Sequence, residues 1–123
     1  MVETHAFGNF VPPNASCIIL GSFTGRQAVK GNMASDPSYD WFYATKRNQF
    51  WPILEAVYGI ELKDTVCRKT EVMDVGIAMA DIICQCERKK GNNLDTNLTN
   101  FIYNTKALTE IFDEYPIDKI LFS

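Results

Sequence analysis

The sequence predicts an α/β fold in which helices cover both faces of a short parallel sheet. Two patterns support this: short apolar runs without polar alternation, and helix-like spacing of apolar residues between those runs. Unbroken apolar runs are typical of strands buried on both faces, as in parallel sheets. The chain has 123 residues, 46% of them hydrophobic, which suits one core but not two. We therefore expect a single domain over residues 1–123.

The first half of the chain begins this alternation. Residues 16–20 form a short apolar run closed by Gly21, which predicts a buried strand. Residues 21–39 are rich in Gly, Ser, Asn and Asp and predict a long irregular segment, a kind of loop that is usually functional. Residues 48–58 have apolar side chains at helical spacing, which predicts a helix with Asn48 near its N-cap and Gly59 at its end.

The second half continues the pattern less clearly. Residues 60–74 are charged and weakly patterned, and no element is predicted there. Residues 76–84 form an apolar run interrupted by Asp81, which predicts a strand that either stays in the core or leaves it at Asp81. A buried aspartate at that point needs a partner.

A helix at residues 103–114 and a third strand at residues 117–122 complete the predicted elements. Pro116 ends the helix, and the strand stops at Ser123. A domain that ends on a core strand leaves an edge or a face of the sheet uncovered. We therefore expect that further C-terminal elements of the fold are missing from this chain.

Composition limits the classes of partner. The net charge of −3 argues against binding nucleic acid by bulk electrostatics, so any DNA contact must come from local patches. No apolar stretch approaches the roughly 20 residues of a membrane-spanning helix, and no secretory signal is visible. The cysteines lack the spacing of a secreted disulfide framework. We therefore expect a cytoplasmic protein without a membrane partner.

Basic residues occur in two sets that are candidates for DNA contact. Solvated surface cations are the alternative interpretation of either set taken alone. The sets are Arg26, Lys30, Lys46 and Arg47, and Arg88, Lys89 and Lys90.

Cys84 and Cys86 raise the question of a metal site. Structural metal sites usually recruit spaced pairs of ligands from two arms of the chain, and His5 is the only histidine. Ordinary buried thiols on a strand are the favoured interpretation. We therefore expect no metal.

Two segments carry residue types suited to binding a nucleotide. Residues 21–25 (GSFTG) follow the first strand and place backbone N–H groups at the carboxyl end of the sheet, where parallel folds bind ligands. Residues 41–51 combine five aromatics with two cations, types that stack bases and hold phosphates. Phe50 and Trp51 are better explained as core residues of a helix start. Aromatics ahead of the helix are candidates for a pocket wall: Trp41, Phe42 and Tyr43.

Taken together, these segments resemble the hypoxanthine-DNA glycosylase branch of the uracil-DNA glycosylase superfamily. The resemblance is carried by IILGSF at residues 18–23, the aromatic step FY at residues 42–43 and RNQFW at residues 47–51. It continues through GIA at residues 76–78 and DIICQCER at residues 81–88. The pairing of the LGSF loop with the RNxFW helix start is its most specific part.

The resemblance implies a three-layer αβα sandwich and a reaction. The reaction is hydrolysis of the N-glycosidic bond of a deaminated base, uracil or hypoxanthine, flipped out of DNA during base-excision repair. It implies a DNA partner, no metal and no organic cofactor, and we expect a monomer. Because the sugar acquires oxocarbenium character, the site needs a group that positions water and donors that stabilise the departing base.

Roles for individual residues follow from the resemblance. Asn48 matches the asparagine to which this branch assigns catalysis, and we predict that it positions the water. An N-cap role is the alternative, and the two roles can coexist. Asp81 is expected to be an orienting or structural carboxylate. The implied base pocket comprises Gly21, Ser22, Phe23, Phe42 and Tyr43, with Phe23 or Tyr43 stacking on the base, and the implied phosphate contacts are Lys46, Arg47 and Arg88.

Departures from the branch leave two other hypotheses open. Thr24 replaces a proline, and residues 44–46 replace a glycine-histidine-proline step. Relatives also continue beyond the third strand with a helix, a strand and a DNA-contacting loop. A catalytically inactive nucleic-acid- or nucleotide-binding relative is therefore the second hypothesis. The third is a flavodoxin-like redox protein using Cys84 and Cys86, which leaves the aromatic cluster and Asn48 unexplained.

Overall fold

The chain forms two small sheets that share one bent run of residues. The computed structural model describes residues 2–5, 7–23, 41–44, 48–88 and 98–123. In chain order the elements within these ranges are β1 (Val2–Thr4), β2 (Cys17–Gly21), α1 (Phe50–Tyr58), α2 (Thr65–Val75), β3 (Ile77–Asp81), β4 (Ile83–Arg88), β5 (Leu98–Tyr103), α3 (Thr105–Glu114) and β6 (Lys119–Phe122).

A three-stranded parallel sheet in the order β3-β2-β6 forms the centre of the fold. Successive side chains of β2 point to opposite faces. Ile19 packs with Trp51 of α1 and Val72 of α2 on one face. Ile18 packs with Ile111 of α3 on the other face. The predicted αβα arrangement with a short parallel sheet is therefore confirmed.

Helix α2 occupies the stretch for which no element was predicted. Val72 is its one buried residue, so its sequence carries little apolar periodicity. Its ends are defined by capping. The side chain of Asp64 accepts a hydrogen bond from Cys67 N at 2.8 Å, and this bond lowers the pKa of that carboxyl. Gly76 follows the last turn with φ 74°, a left-handed conformation that favours glycine.

The apolar run at residues 76–84 divides between the two sheets. Strand β3 ends at Asp81, the chain bends at Ile82, and β4 continues in an antiparallel sheet of order β1-β4-β5. Of the two alternatives drawn from the sequence, the strand that leaves the core at Asp81 is the one observed. The second sheet was not predicted, and α3 begins at Thr105, just inside the predicted helix.

The four cysteines are thiols that form no disulfide bond. Cys86 is buried, and Cys84 is half-buried with its Sγ 3.8 Å from the carbonyl oxygen of Tyr103. In the described part of the chain, no cluster of three or more His, Cys, Asp or Glu residues has the arrangement of a metal site. None of the helices in those same ranges is long and apolar enough to cross a bilayer.

Candidate functional site

Three neighbouring strands end at one edge of the parallel sheet and bring polar groups together there. Gly21 ends β2 and pairs in register with Asp81 at the end of β3. Ser123 follows β6, and its N–H donates to the carbonyl oxygen of Leu20 at 3.0 Å. The carboxyl edge of a parallel sheet is where such folds bind ligands.

Three side-chain oxygens surround the α-carbon of Gly21. A β-carbon at this position would lie 2.5 Å from Asp81 Oδ1, and 3.3 Å from both Ser123 Oγ and Tyr43 Oη. We call this group of three atoms the oxygen cluster. A side chain at residue 21 would enter the space that the oxygen cluster encloses, so the Asp81 carboxylate would have to shift.

Tyr43 is held in the cluster by a hydrogen bond of 2.7 Å between its hydroxyl and Ser123 Oγ. Its backbone has φ 57°, which is uncommon for a residue with a side chain. Burial raises the pKa of the Tyr43 phenol and the negative charge of Asp81 adds to this, whereas the hydrogen bond with Ser123 acts in the opposite direction. The phenol therefore keeps its proton at neutral pH and can donate or accept a hydrogen bond.

Asp81 is buried, and the sequence left its partner unidentified. One partner is His5, whose Nε2 lies 2.5 Å from Asp81 Oδ2. The other ring nitrogen, Nδ1, accepts hydrogen bonds from the backbone N–H groups of Phe7 at 3.2 Å and Gly8 at 3.0 Å. Both members of the pair are almost fully enclosed, with 7% and 3% of their side chains exposed.

Sequence reasoning missed His5 as a site residue. It lies 76 residues before Asp81, outside every segment that carries the resemblance. A signal was nevertheless present, because a buried carboxylate needs a donor and the chain has a single histidine.

The aromatic residues ahead of α1 divide between core and site. Trp41 stacks on Trp51 with ring centroids 5.7 Å apart, and Phe42 is 1% exposed, with its carbonyl oxygen accepting from Trp51 Nε1 at 2.7 Å. Both rings lie in the core, so the prediction that they line a pocket wall is not met. Phe42 instead packs against His5 from the core side, with the two ring centroids 5.5 Å apart. Tyr43, in contrast, places its hydroxyl at the sheet edge, next to Ser123.

Phe23 and Ser22 continue the chain beyond β2. The Phe23 ring meets the His5 ring edge to face, at 5.9 Å and 87°, and both Ser22 and Phe23 are half-buried. The carbonyl oxygen of Ser22 accepts from the N–H of Ile83 at 3.0 Å. This bond fixes the start of the loop against the bend between the two sheets.

Asn48 lies one residue before the N-cap of α1 and makes a hydrogen bond of the capping type. Its Oδ1 accepts from the backbone N–H of Phe50 at 2.8 Å, while Gln49, at the formal N-cap, makes no such side-chain bond. The capping alternative is therefore present in the structure. The ring of Phe50 lies 4.7 Å from that of Tyr43, so the Asn48 turn is joined to the oxygen cluster through these two rings.

The predicted phosphate contacts lie largely outside the described residues. This applies to Lys46 and Arg47, and likewise to the other candidates for DNA contact, Arg26, Lys30, Lys89 and Lys90. Thr24, where the chain departs from the branch, also lies outside them. Arg88 ends β4, with its backbone in register with that of Leu98 in β5.

Comparison with known proteins gives one similar structure. No protein-family model matches the chain, and no curated protein matches it. Among solved structures, the chain is similar to the solution NMR structure of a proposed uracil DNA glycosylase from Methanosarcina acetivorans. The TM-score is 0.65 at 16% sequence identity, and the match covers 99% of this chain and 70% of the other. At this identity the similarity shows the fold alone, an α/β arrangement that the chain shares with that protein.

Proposed function

We propose that this protein is a DNA glycosylase that hydrolyses the N-glycosidic bond of a deaminated base, uracil or hypoxanthine, flipped out of DNA. The observation that carries the proposal is the convergence of Gly21, Asp81, Ser123 and Tyr43 at the carboxyl edge of the parallel sheet. The fold is shared with a proposed uracil DNA glycosylase. The sequence resemblance favours the hypoxanthine-type branch.

The reaction needs a positioned water molecule. As the bond between C1′ and the base breaks, the base takes the bonding electrons and the sugar becomes electron-deficient. Water then adds to C1′, and the proton that it loses ends on the departed base, so that the products are the abasic sugar and the neutral base. An amide is too weak a base to drive this attack, but it can orient the water once positive charge has developed on the sugar.

Asn48 is the residue proposed for that role. An amide oxygen has two lone pairs, so the bond that Oδ1 accepts from Phe50 N–H leaves one for a water molecule. The same bond fixes the rotamer of Asn48. Capping and water positioning are therefore compatible, as the sequence suggested.

Base binding is proposed for the loop after β2 and for Tyr43. Tyr43 belongs to the oxygen cluster and Phe23 packs against His5. Both aromatics are half-buried, and either ring is proposed to offer a face on which a flipped base stacks. The backbone of Ser22 and Phe23 is proposed to contact the base or its sugar. Lys46, Arg47 and Arg88 are proposed to contact phosphates, because a chain of net charge −3 needs local cations to bind DNA.

A catalytically inactive relative that binds nucleic acid or nucleotides is the second candidate. The capping bond of Asn48 favours it, because that bond alone explains an asparagine at this position. Both candidates use the same pocket and differ only in whether the glycosidic bond breaks.

Base release from oligonucleotides tests the proposal. Single- and double-stranded substrates carrying one uracil or one hypoxanthine are incubated with the protein, and abasic sites are scored by alkaline cleavage. We expect cleavage by the wild type and a loss on the order of 10²-fold in Asn48→Ala, because the water is no longer oriented. DNA binding, measured by fluorescence anisotropy, is expected to change little.

Asn48→Ser is the matched control, because serine also caps helices but lacks the amide. Asn48→Ala should lose about 1 kcal/mol of stability together with activity, whereas Asn48→Ser should lose activity alone. If Asn48→Ser retains full base release, the residue is a cap and not a catalytic group. A folded wild type that releases neither base supports the inactive relative.

A further inference from the structure

We infer that His5 is a positioning residue of the candidate site, which holds the Asp81 carboxylate so that Asp81 Oδ1 stays in the oxygen cluster. The inference deepens the proposed function and rests on it for the identity of the ligand. It names a residue outside every segment by which the site was predicted. The geometry of the His5–Asp81 pair is the basis for it.

The contacts of the imidazole fix its tautomer. Two backbone N–H groups, from Phe7 and Gly8, point at Nδ1, so this nitrogen accepts and carries no proton. A neutral imidazole then carries its proton on Nε2. Nε2 lies 2.5 Å from Asp81 Oδ2, which makes the ring a donor to the carboxylate.

His5 acts through Asp81 and not directly on a ligand. Both of its ring nitrogens are already engaged, and its side chain is 7% exposed. The rings of Phe23 and Phe42 pack against the imidazole at 5.9 Å and 5.5 Å and limit its rotation. Proton exchange with a substrate would require these contacts to break. The structure therefore assigns orientation to His5, and not acid or base catalysis.

Fixing Oδ2 also fixes the other carboxylate oxygen. Oδ1 would lie only 2.5 Å from a β-carbon on Gly21, so it stands at the point where β2 ends. The hydroxyls of Tyr43 and Ser123 lie beside the same point. The bond to His5 therefore restrains rotation about the Cβ–Cγ bond of Asp81, the motion that would move Oδ1 out of the oxygen cluster.

The oxygen cluster defines the chemistry of the ligand group that it suits. An ionised carboxylate only accepts hydrogen bonds, whereas a hydroxyl can accept and donate. A ligand group that donates, such as a ring N–H, therefore suits Asp81 Oδ1 better than a carbonyl does. Uracil and hypoxanthine each have a ring N–H next to a carbonyl. A carboxylate held in place by His5 would favour these bases over forms methylated on that nitrogen.

Two amide substitutions separate the positioning role from a purely structural one. In His5→Gln, the amide nitrogen reaches the position of Nε2 and can donate to Asp81, but the acceptor for Phe7 and Gly8 is lost. In His5→Asn, the amide oxygen takes the position of Nδ1 and can accept from Phe7 and Gly8, but the donor to Asp81 is lost. Single-turnover base release and thermal unfolding are measured for both variants.

The two variants should respond in opposite ways. We expect His5→Asn to lose base release by on the order of 10²-fold with its fold retained, because a misplaced group in the site costs about this much. His5→Gln should keep a rate close to that of the wild type. Equal losses in both variants, or a loss confined to His5→Gln, would overturn the inference, because the contacts to Phe7 and Gly8 would then be the ones that matter.

The protonation site of His5 can be measured by NMR, and this measurement does not depend on activity. The chain has one histidine, so its ring nitrogens can be identified by ¹⁵N NMR without ambiguity. We expect the proton on Nε2. Its ¹H signal should lie downfield because of the hydrogen bond to Asp81, and it should move upfield in Asp81→Asn. A proton on Nδ1, or a signal that does not respond to Asp81→Asn, overturns the inference. If the wild type releases no base, the proposed function fails, and this measurement alone decides the role of His5.

Discussion

Gly21 is the residue on which the geometry of the site depends most directly. The oxygen cluster forms around it because it has no side chain, and Asp81 cannot move aside easily because Oδ2 is bound to His5. Tyr43 and Ser123 are likewise bound to each other. A small change at residue 21 is therefore expected to affect both folding and ligand binding.

We predict that Gly21→Ala lowers the free energy of unfolding by about 1 to 3 kcal/mol, the usual range for overpacking, and abolishes base release. Its β-carbon would lie 2.5 Å from Asp81 Oδ1, so the carboxylate must shift. Urea unfolding and the base-release assay measure the two effects.

The double variant Gly21→Ala with Asp81→Ser is the control for this clash. If the contact with Asp81 causes the loss of stability, the two substitutions are coupled, and the double variant is more stable than the sum of the single effects predicts. Additive effects would show that the clash lies elsewhere.

The sequence indicated three residues of the candidate site, Gly21, Asp81 and Tyr43, but not His5 or Ser123. Gly21 and Asp81 were found because each stands where an apolar strand ends, and Tyr43 because it precedes a helix start. His5 and Ser123 had no such local signal. Their partners lie 76 and 80 residues away along the chain, and only the fold brings these pairs together.

At the scale of elements, two helices of this chain end in the same way with different surroundings. Gly59 after α1 and Gly76 after α2 have φ values of 66° and 74°. A β-carbon on Gly59 would meet nothing within 4 Å, whereas one on Gly76 would lie 2.7 Å from the backbone oxygen of Asn14. A substitution at Gly59 therefore tests backbone strain alone, whereas one at Gly76 tests backbone strain together with a steric clash.

We predict that Gly59→Ala costs about 1 to 2 kcal/mol, the price of a left-handed conformation for a residue with a side chain. Gly76→Ala should cost more by about 1 to 3 kcal/mol, because the methyl group also pushes against backbone. Chemical denaturation of the two variants measures both values. Equal losses of stability in the two variants would mean that the backbone around Asn14 shifts to accommodate the methyl group without a measurable loss.

The elements that the sequence predicted are those with a clear apolar pattern. β2, α1, α3 and β6 were predicted close to their observed bounds for this reason. α2 escaped because Val72 is its one buried residue and its ends are set by Asp64 and Gly76. β4 and β5 escaped because their pairing is interrupted by register shifts and much of β5 is exposed, so neither shows the regular alternation of a half-buried strand.

Across the whole molecule, burial is concentrated on the middle of the parallel sheet. Ile18 of β2 is fully buried, whereas Leu121 of the neighbouring β6 is 53% exposed. In the described residues β6 pairs only with β2, so its outer side forms an edge of the sheet. Apolar side chains of similar size in these two adjacent strands are therefore expected to contribute very different amounts to the free energy of unfolding.

We predict that Ile18→Ala lowers the free energy of unfolding by about 2 to 5 kcal/mol, because it leaves a cavity between the sheet and α3. Leu121→Ala should cost less than about 1 kcal/mol, since little of its surface is withdrawn from water. Urea unfolding of the two variants gives the comparison. A large loss in Leu121→Ala would show that β6 is covered in solution.

The placement of His5 and Ser123 has a consequence for how the protein acquires its site during synthesis. His5 precedes β2 in the chain and Ser123 follows β6, yet both meet at the end of β2. A nascent chain that has emerged only as far as residue 100 contains Gly21, Tyr43 and Asp81, but lacks the serine that completes the oxygen cluster. The oxygen cluster should therefore form only after residue 123 has emerged, when its most sequence-distant contacts close.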